Sequence, residues 1–227
     1  MVKKLMKAIV IYEAGGPEKL IYKEVPVPEV KPGWSLIRIM GRGVNHSEIF
    51  TREGQSPSVQ FPRILGIECV GVIAETTDPA RLPEGQKVIS IMGEMGRAFD
   101  GGYAEYALLP NHQIYPVSTN LPWETLAALR DTFAHTAEGG VICVTGLLGG
   151  KWTLEDFDPL EDMPVNGYLT AFHSGNVTEQ SLQEMLDFVA AHEVDCRPEK
   201  VFDLSEMVKA HEYLGSSRSF GKVVVMS

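Results

Sequence analysis

The sequence predicts a mainly β protein that carries a smaller α/β part in its second half. Short apolar runs bounded by glycine and proline follow one another as far as Pro122, and helical periodicity begins only there. Two short β-rich runs then lie among the helices. Short strands at turn-bounded intervals are typical of a β barrel or sandwich. Strands that alternate with helices are typical of an α/β layer.

The first part contains a series of predicted strands separated by turn residues such as Gly15–Pro17 and Lys31–Gly33. The run 34–40 alternates apolar and polar side chains, as a half-buried strand does. Glycines at positions 66 and 71, inside another run, indicate bulges or a close approach of two backbones. The predicted strands cover residues 6–12, 20–27, 34–40, 65–75, 85–91 and 103–109.

The second part alternates helical and extended patterns. Residues 122–137 carry an apolar stripe at helical spacing, which predicts a helix that stops at Gly139–Gly140. An amphipathic helix over 178–191 has four apolar residues on one face, Leu182, Met185, Leu186 and Val189. The remaining predicted elements are a helix over 205–214 and strands over 141–145, 168–172 and 222–226.

Composition narrows the classes of partner. The net charge of −10 repels phosphate backbones, so nucleic acid is not an expected partner. The sequence shows no apolar run of membrane-spanning length and no signal-peptide core, which predicts a cytoplasmic protein without membrane contact. The three cysteines, Cys69, Cys143 and Cys196, are widely spaced and predict buried thiols rather than a disulfide framework.

Five motifs occur in a fixed order along the chain. They are Gly43–Val44–Asn45, the P-x-x-x-G-x-E-x-x-G segment from Pro62 to Gly71, the segment Gly85–Val88, the segment Gly101–Tyr106, and Gly221–Val224 near the C-terminus. In this order the sequence resembles the medium-chain dehydrogenase/reductase superfamily. Within that superfamily it is most similar to the zinc-free quinone oxidoreductases.

The resemblance implies a GroES-like catalytic barrel together with a small remnant of a Rossmann α/β domain. The barrel is expected over 1–122, the residual Rossmann helix and two strands over 123–172, and a C-terminal helix and strands that return to the barrel over 173–227. The implied activity is hydride transfer from NADP or NAD cofactors, in their reduced forms, to a small-molecule quinone or enone.

Zinc is not expected in this branch. Zinc members of the superfamily have Cys where this chain has Asn45, and His where it has Ile67, and neither replacement can bind Zn²⁺ as they do. An unorthodox metal cluster could still be assembled from His46, Glu48, Glu68 and Cys69. Such carboxylates and a lone histidine are more often satisfied polar groups, so the metal-free interpretation is favoured.

The resemblance places Asn45, His46 and Phe50 at the catalytic site. The Asn45 amide can donate to a carbonyl oxygen or hold the nicotinamide; the alternative is an asparagine that caps a loop. Several quinone oxidoreductases have tyrosine where this chain has Phe50, which keeps a ring but has no hydroxyl. His46 offers a titratable ring at the edge of the site, and Glu68 is expected to fix loops through hydrogen bonds.

The glycine-rich loop that binds the pyrophosphate of a dinucleotide has no good match in this chain. The segment from Gly146 through Leu147 and Leu148 to Gly149 follows a predicted strand but does not open a convincing helix. It resembles a later Rossmann loop beside the nicotinamide, and these four residues are the predicted cofactor contacts along with Asn45. An active enzyme with a minimal nucleotide site here is the less favoured alternative.

The resemblance locates a missing Rossmann segment near Leu129–Arg130, where two half-helices join in phase. An engineered excision is favoured over a natural deletion. The chain is therefore expected to have lost most cofactor affinity and activity. Residues 165–173 are expected to pair with their symmetry mate in a homodimer. The competing hypothesis is a non-enzymatic GroES-like β-barrel module for binding or assembly, with 51–60 as its loop.

Overall fold

The computed structural model describes residues 4–124, 141–144, 168–171, 177–216, 219 and 221–227. Within them it contains eleven strands and three α-helices. The strands are β1 Leu5–Val10, β2 Ile21–Pro26, β3 Trp34–Val44, β4 Glu68–Thr76, β5 Lys87–Ile91, β6 Tyr106–Pro110, β7 Tyr115–Pro116, β8 Val141–Val144, β9 Tyr168–Ala171, β10 Lys200–Asp203 and β11 Val223–Met226. The helices are α1 His46–Arg52, α2 Glu179–Ala191 and α3 Met207–Leu214.

Strand β3 is the centre of a seven-stranded sheet. On one side it pairs with β4 from Ser35 to Gly41. On the other side its first five residues pair with β6 and its last four pair with β11. The sheet continues through β5 to β7 at one end and through β11 to β10 at the other. All of these pairings are antiparallel except that of β10 with β11. The C-terminal strands therefore lie in the same sheet as the N-terminal ones.

Two smaller sheets complete the described strands. Strands β1 and β2 form an antiparallel hairpin over six residue pairs. Strands β8 and β9 pair in parallel, from Val141 opposite Tyr168 to Val144 opposite Ala171. The extended runs predicted at 141–145 and 168–172 are thus confirmed as strands. The predicted helix over 122–137 and the join at Leu129–Arg130 lie outside the described residues, apart from the start of that helix.

The sequence-based boundary at Met40 was wrong, because β3 continues to Val44. Gly41 and Gly43 interrupt the apolar alternation that marks a strand, but β11 supplies pairing partners for this stretch. The predicted start at Leu65 was also wrong, since β4 begins at Glu68. Gly66 lies before the strand at φ +100°, and a Cβ there would be 2.9 Å from the backbone nitrogen of Gly102.

Gly71 confirms the prediction that a glycine inside this strand marks a close approach of two backbones. It lies inside β4, and a Cβ at this position would overlap the carbonyl oxygen of Arg38 on β3. The short elements α1, β7 and β10 were not predicted. Each is held by partners distant in the sequence, as when β10 pairs with β11. The pattern of one short segment carries no signal of such a partner.

Helix α2 covers one face of the sheet. Thr178 caps its N-terminus, where its hydroxyl accepts from the backbone nitrogen of Ser181. The predicted stripe is confirmed in that Leu182, Leu186 and Val189 are buried, while Met185 is partly buried. This stripe packs in a cluster with Val70, Ile89 and Val224 of the sheet. No helix within the described ranges is long and apolar enough to cross a membrane.

Candidate functional site

Three segments that are far apart in the sequence meet at the ends of neighbouring strands. Asn45 follows β3, Glu68 begins β4 and Lys222 precedes β11. The register brings these ends together, because Val44 of β3 lies opposite Val223 of β11 and Gly41 lies opposite Val70 of β4. Glu48, in the first turn of α1, completes the group. The four residues Asn45, Glu48, Glu68 and Lys222 are called the polar cluster below.

A buried ion pair anchors the polar cluster. Lys222 Nζ lies 2.8 Å from Glu68 Oε1, and the two side chains are only 4% and 8% exposed. The same Nζ donates a hydrogen bond of 2.7 Å to Asn45 Oδ1. Gly43 allows this packing, since a Cβ at that position would overlap Glu68 Oε1. A larger residue at position 43 would therefore displace the two charged side chains from this arrangement.

The Asn45 amide connects the two carboxyl groups. Its Nδ2 donates to Glu68 Oε1 at 3.0 Å and to Glu48 Oε1 at 3.2 Å. Asn45 stands at the N-cap position of α1, but its side chain makes no capping hydrogen bond. The alternative prediction, an asparagine that caps a loop, thus matches the position of Asn45 in the chain but not the hydrogen bonds of its side chain. In this arrangement both amide hydrogens and the amide oxygen have partners.

Glu48 is a buried carboxyl in an unusual balance of interactions. It is 1% exposed. Its Oε1 accepts from the backbone nitrogen of Ile67 at 3.1 Å, and its Oε2 accepts from Ser47 Oγ at 3.0 Å. Burial, reinforced by the negative charge of Glu68, raises the pKa of Glu48 in spite of these hydrogen bonds. The neutral form is therefore more accessible than in an ordinary glutamic acid.

The other two predicted catalytic residues lie on α1. His46 is its first residue and Phe50 comes one turn later, so the two share a helix face. Both are half-buried. The structure thus brings Asn45, His46 and Phe50 onto one short element, and their catalytic roles stay predictions. The predicted cofactor contacts at 146–149 lie outside the described residues.

The hypothetical metal cluster is not assembled in the described part of the chain, where no group of three or more His, Cys, Asp or Glu side chains is arranged to hold an ion. Glu68 and Cys69 are adjacent in β4 and so point to opposite faces of the sheet. Burial raises the pKa of the Cys69 thiol to about 12, which disfavours the thiolate that metals require. Cys69 and Cys196 are buried free thiols.

The sequence analysis did not predict Glu48 or Lys222 as catalytic or cofactor-binding residues. Glu48 entered it only as a hypothetical metal ligand, and Lys222 only as part of a terminal motif. The available signal was a lysine directly before the fully apolar strand Val223–Met226. A charged side chain beside a buried strand requires a partner. The identity of that partner depends on the sheet register, which the sequence does not reveal.

Two family models match the chain in succession. One is described as "Alcohol dehydrogenase GroES-like domain" and matches residues 31–119. The other is described as "Zinc-binding dehydrogenase" and matches residues 117–225. Together they cover most of the sequence.

A curated relative is the quinone oxidoreductase of Pongo abelii, 31% identical over 161 residues. That match covers 65% of this chain and 47% of the relative, so the chain spans about half the length of this relative.

Solved structures share the fold. The crystal structure of AibC has a TM-score of 0.80 at 17% identity, with 99% of this chain and 96% of the other covered. The mycobacterial protein Rv1454c, solved in complex with NADPH, has a TM-score of 0.72 at 18% identity, with coverages of 98% and 100%. The predicted fold, a GroES-like domain with part of a Rossmann domain, is confirmed by this likeness.

Proposed function

Because the chain belongs to the medium-chain dehydrogenase/reductase superfamily and is quinone oxidoreductase-like, we propose that it is the substrate domain of a zinc-independent NAD(P)H-dependent oxidoreductase. Its substrates would be quinones or enones. The polar cluster carries this proposal. It offers one cation and one readily protonated carboxyl around Asn45, the residue that takes the place of a zinc ligand.

In this chemistry a bound nicotinamide supplies the hydride, and the protein must stabilise negative charge on the carbonyl oxygen and deliver a proton. The Lys222 charge is already paired with Glu68, so the amide hydrogens of Asn45 are the groups that would stabilise the oxygen. The Asn45–Glu48 bond is the longer of the two that Nδ2 makes, at 3.2 Å. A substrate oxygen would compete most readily for that hydrogen. Glu48, in its neutral form, would then supply the proton, with Ser47 Oγ as its bonded neighbour.

The described residues offer a poor fit to the pyrophosphate of a dinucleotide. Pyrophosphate binds at helix N-termini with free backbone N–H groups. The N-terminus of α2 is closed by the reciprocal bonds of Thr178 and Ser181. The short helical turn before α3 begins with the acidic pair Asp203 and Glu206, which would repel phosphate. These observations support weak cofactor affinity and little or no activity in this chain.

The competing hypothesis of a non-enzymatic barrel module finds no favouring observation. A co-chaperonin needs a mobile hydrophobic loop, whereas residues 51–60 are mostly polar. The start of this segment is also fixed in place. Thr51 Oγ1 and Ser56 Oγ are hydrogen-bonded at 2.9 Å, and Arg52 Nη1 donates to the carbonyl oxygen of Gly15 at 2.7 Å. A seven-fold assembly in solution would favour that hypothesis instead.

Binding of duroquinone, whose ring has no free position for thiol attack, tests the proposed substrate site by ligand-observed NMR. Asn45→Ala should weaken binding by up to about tenfold, the value of one hydrogen bond. Asn120→Ala, at an exposed position, is the control and should change nothing. Equal affinities in the two variants would refute the assignment.

Cofactor binding is tested separately by calorimetry with NADPH and with NADH. We expect no saturation in the micromolar range, because the sequence offers no good match to the pyrophosphate-binding loop, whose charge-assisted contacts would each be worth roughly 1.5–3 kcal/mol. Saturation at micromolar NADPH would show that this chain retains a dinucleotide site. That result would overturn the proposed loss while leaving the substrate site intact.

A further inference from the structure

A second cleft lies apart from the polar cluster and shares no residue with it. It has a volume of about 480 Å³, within the range of roughly 300–1,000 Å³ that is common for small-molecule sites. Its walls come from the β1–β2 hairpin, the start of β3, strand β6 and the segment 98–101. We call it the aromatic cleft, after the three half-buried rings that line it, Trp34, Phe99 and Tyr106.

The rings form a wall suited to a flat ligand. Trp34 and Phe99 meet edge to face, with centroids 5.1 Å apart at an interplanar angle of 80°. Such a pair fixes both ring orientations. Prolines at positions 26, 28 and 62 add rigid apolar surface. A planar aromatic body can pack against these groups with little ordering of side chains.

The charge of the aromatic cleft differs in sign from that of the whole chain. The chain has a net charge of −10, yet the charged residues that line the cleft are Lys31, Arg63 and Asp100. Lys4 adds another cation beside the wall, since its Nζ donates to the Tyr106 hydroxyl at 3.3 Å. A local excess of cations on an acidic protein favours an anionic ligand.

The cations are placed at the aromatic wall. Lys31 Nζ lies 3.7 Å from the centre of the Trp34 ring. Arg63 Nη1 donates to Asp100 Oδ1 at 3.2 Å, and the same oxygen accepts from the backbone nitrogen of Ile64 at 3.1 Å. The Arg63 side chain is 18% exposed. The hydrogen-bonding capacity of the Asp100 carboxylate is therefore partly satisfied by the backbone. The guanidinium of Arg63 is left able to bind a second carboxylate.

From these observations we propose that the aromatic cleft binds a small aromatic carboxylate. The ring of the ligand packs against Trp34 and Tyr106, and its carboxylate pairs with Arg63 and Lys31. This site is independent of the proposed hydride transfer, because its residues and those of the polar cluster belong to different parts of the fold.

Calorimetric titration with three matched probes tests the proposal. The probes are 2-naphthoate, the neutral 2-naphthylmethanol and the non-aromatic cyclohexanecarboxylate. We expect 2-naphthoate to bind with a dissociation constant of about 0.1–1 mM and each of the others at least ~5-fold more weakly, since each loses one class of contact. The indole N–H resonance of Trp34, assigned with Trp34→Phe, should shift during the naphthoate titration.

Two pairs of variants locate the charges. Arg63→Gln should weaken naphthoate binding about tenfold, and Lys31→Gln about threefold. The controls are Arg197→Gln, which breaks a more exposed arginine–aspartate pair with Asp195, and Lys87→Gln, which removes another lysine over a tryptophan ring. Both controls should bind as the parent does.

The proposal is overturned if naphthoate shows no saturable binding, if the neutral probe binds equally well, or if the test and control variants behave alike. Thermal unfolding verifies that Arg63→Gln is folded. If it is not, the exposed Lys31 and the probe series still decide, because neither depends on that variant.

Discussion

Lys222 Nζ and Glu68 Oε1 lie 2.8 Å apart in a site from which water is almost excluded. Moving a charge out of water costs free energy. An oppositely charged neighbour offsets that cost only while both side chains are present. This ion pair joins the start of β4 to the residue before β11, on either side of β3. It therefore ties the C-terminal strands to the N-terminal sheet at the candidate site.

Replacing Lys222 by Met should leave the Glu68 charge buried without its cation. We expect a loss of about 3–5 kcal/mol in the free energy of unfolding, measured by urea denaturation. The matched control is Lys209→Met, because Lys209 forms an exposed pair with Glu206 at 2.8 Å. That change should cost less than about 1 kcal/mol. Similar losses in the two variants would show that burial does not strengthen the Lys222 pair.

Replacing Arg42, another buried cation, is expected to have the opposite effect on the free energy of unfolding. Arg42 is completely buried, its Nε and Nη1 have no hydrogen-bond partner among the described residues, and burial lowers its pKa to about 10. Nη2 donates to Ser227 Oγ. Arg42→Met should be neutral or stabilising by about 1–4 kcal/mol, because an apolar chain of similar length removes an uncompensated charge.

Arg38→Met is the control for this prediction, since Arg38 lies on the same strand at an exposed position. Its effect should stay within about 0.5 kcal/mol. A loss of several kcal/mol in Arg42→Met alone would mean that Arg42 has a partner that stabilises the charge. Urea denaturation of the two variants beside the parent decides this.

The contrast between Lys222 and Arg42 also shows how much of the structure could be predicted from the sequence. Alternation and helical periodicity identified β1, α2 and the core of β3, because each buries one face that its own residues define. Strand β2 was also predicted, although within it only Val25 is partly buried. Lys222 and Arg42 look alike in sequence, as single cations beside short apolar runs. Only the register of β3 against β4 and β11 gives one of them a carboxylate partner.

The candidate site could be predicted only in part, because its contacts also depend on the register of the sheet. Asn45 could be named because it stands in a short motif, and the motif resemblance also drew attention to Glu68. The raised pKa of Glu48 could not be foreseen, because it depends on burial and on Glu68 from the next strand. Both causes are properties of packing across the sheet.

Glu48 should make the protein less stable as the pH rises. Its pKa is raised in the folded state, so its contribution is complete below the unfolded value near 4.5 and is lost as the pH rises towards the folded value. Glu48→Gln, which cannot ionise, should therefore gain stability relative to the parent between pH 4.5 and neutrality. Urea denaturation across this range measures the difference. Glu212→Gln, at an exposed position on α3, should show no such divergence.

His211 should make the protein less stable as the pH falls, the opposite of the effect of Glu48. Its Nε2 is 3.1 Å from the Tyr103 hydroxyl in the core, and burial, with a smaller effect of Arg52, lowers its pKa to about 3. The folded state thus resists protonation that the unfolded chain accepts near pH 6.5. Stability is complete above pH 6.5 and falls by up to roughly 1.4 kcal/mol per pH unit as the pH drops towards 3.

His211→Gln should remove this part of the acid sensitivity, whatever it does to stability at neutral pH. The control is His112→Gln, since His112 is exposed. Unfolding free energies at pH 7 and pH 5 are compared for each protein. An unchanged difference between the two pH values in His211→Gln would show that the buried ring is not the titrating group.

The homodimer remains a prediction that rests on β9. Residues 168–171 of the proposed contact 165–173 form a strand that pairs with β8 alone among the described strands. A second edge of β9 would then be open to its symmetry mate. Light scattering after size-exclusion chromatography should give twice the chain mass at micromolar concentration. Leu169→Pro and Thr170→Pro remove backbone donors that face opposite sides of the strand. One of the two should therefore abolish the dimer directly, and a parent protein that elutes as a monomer would exclude this contact.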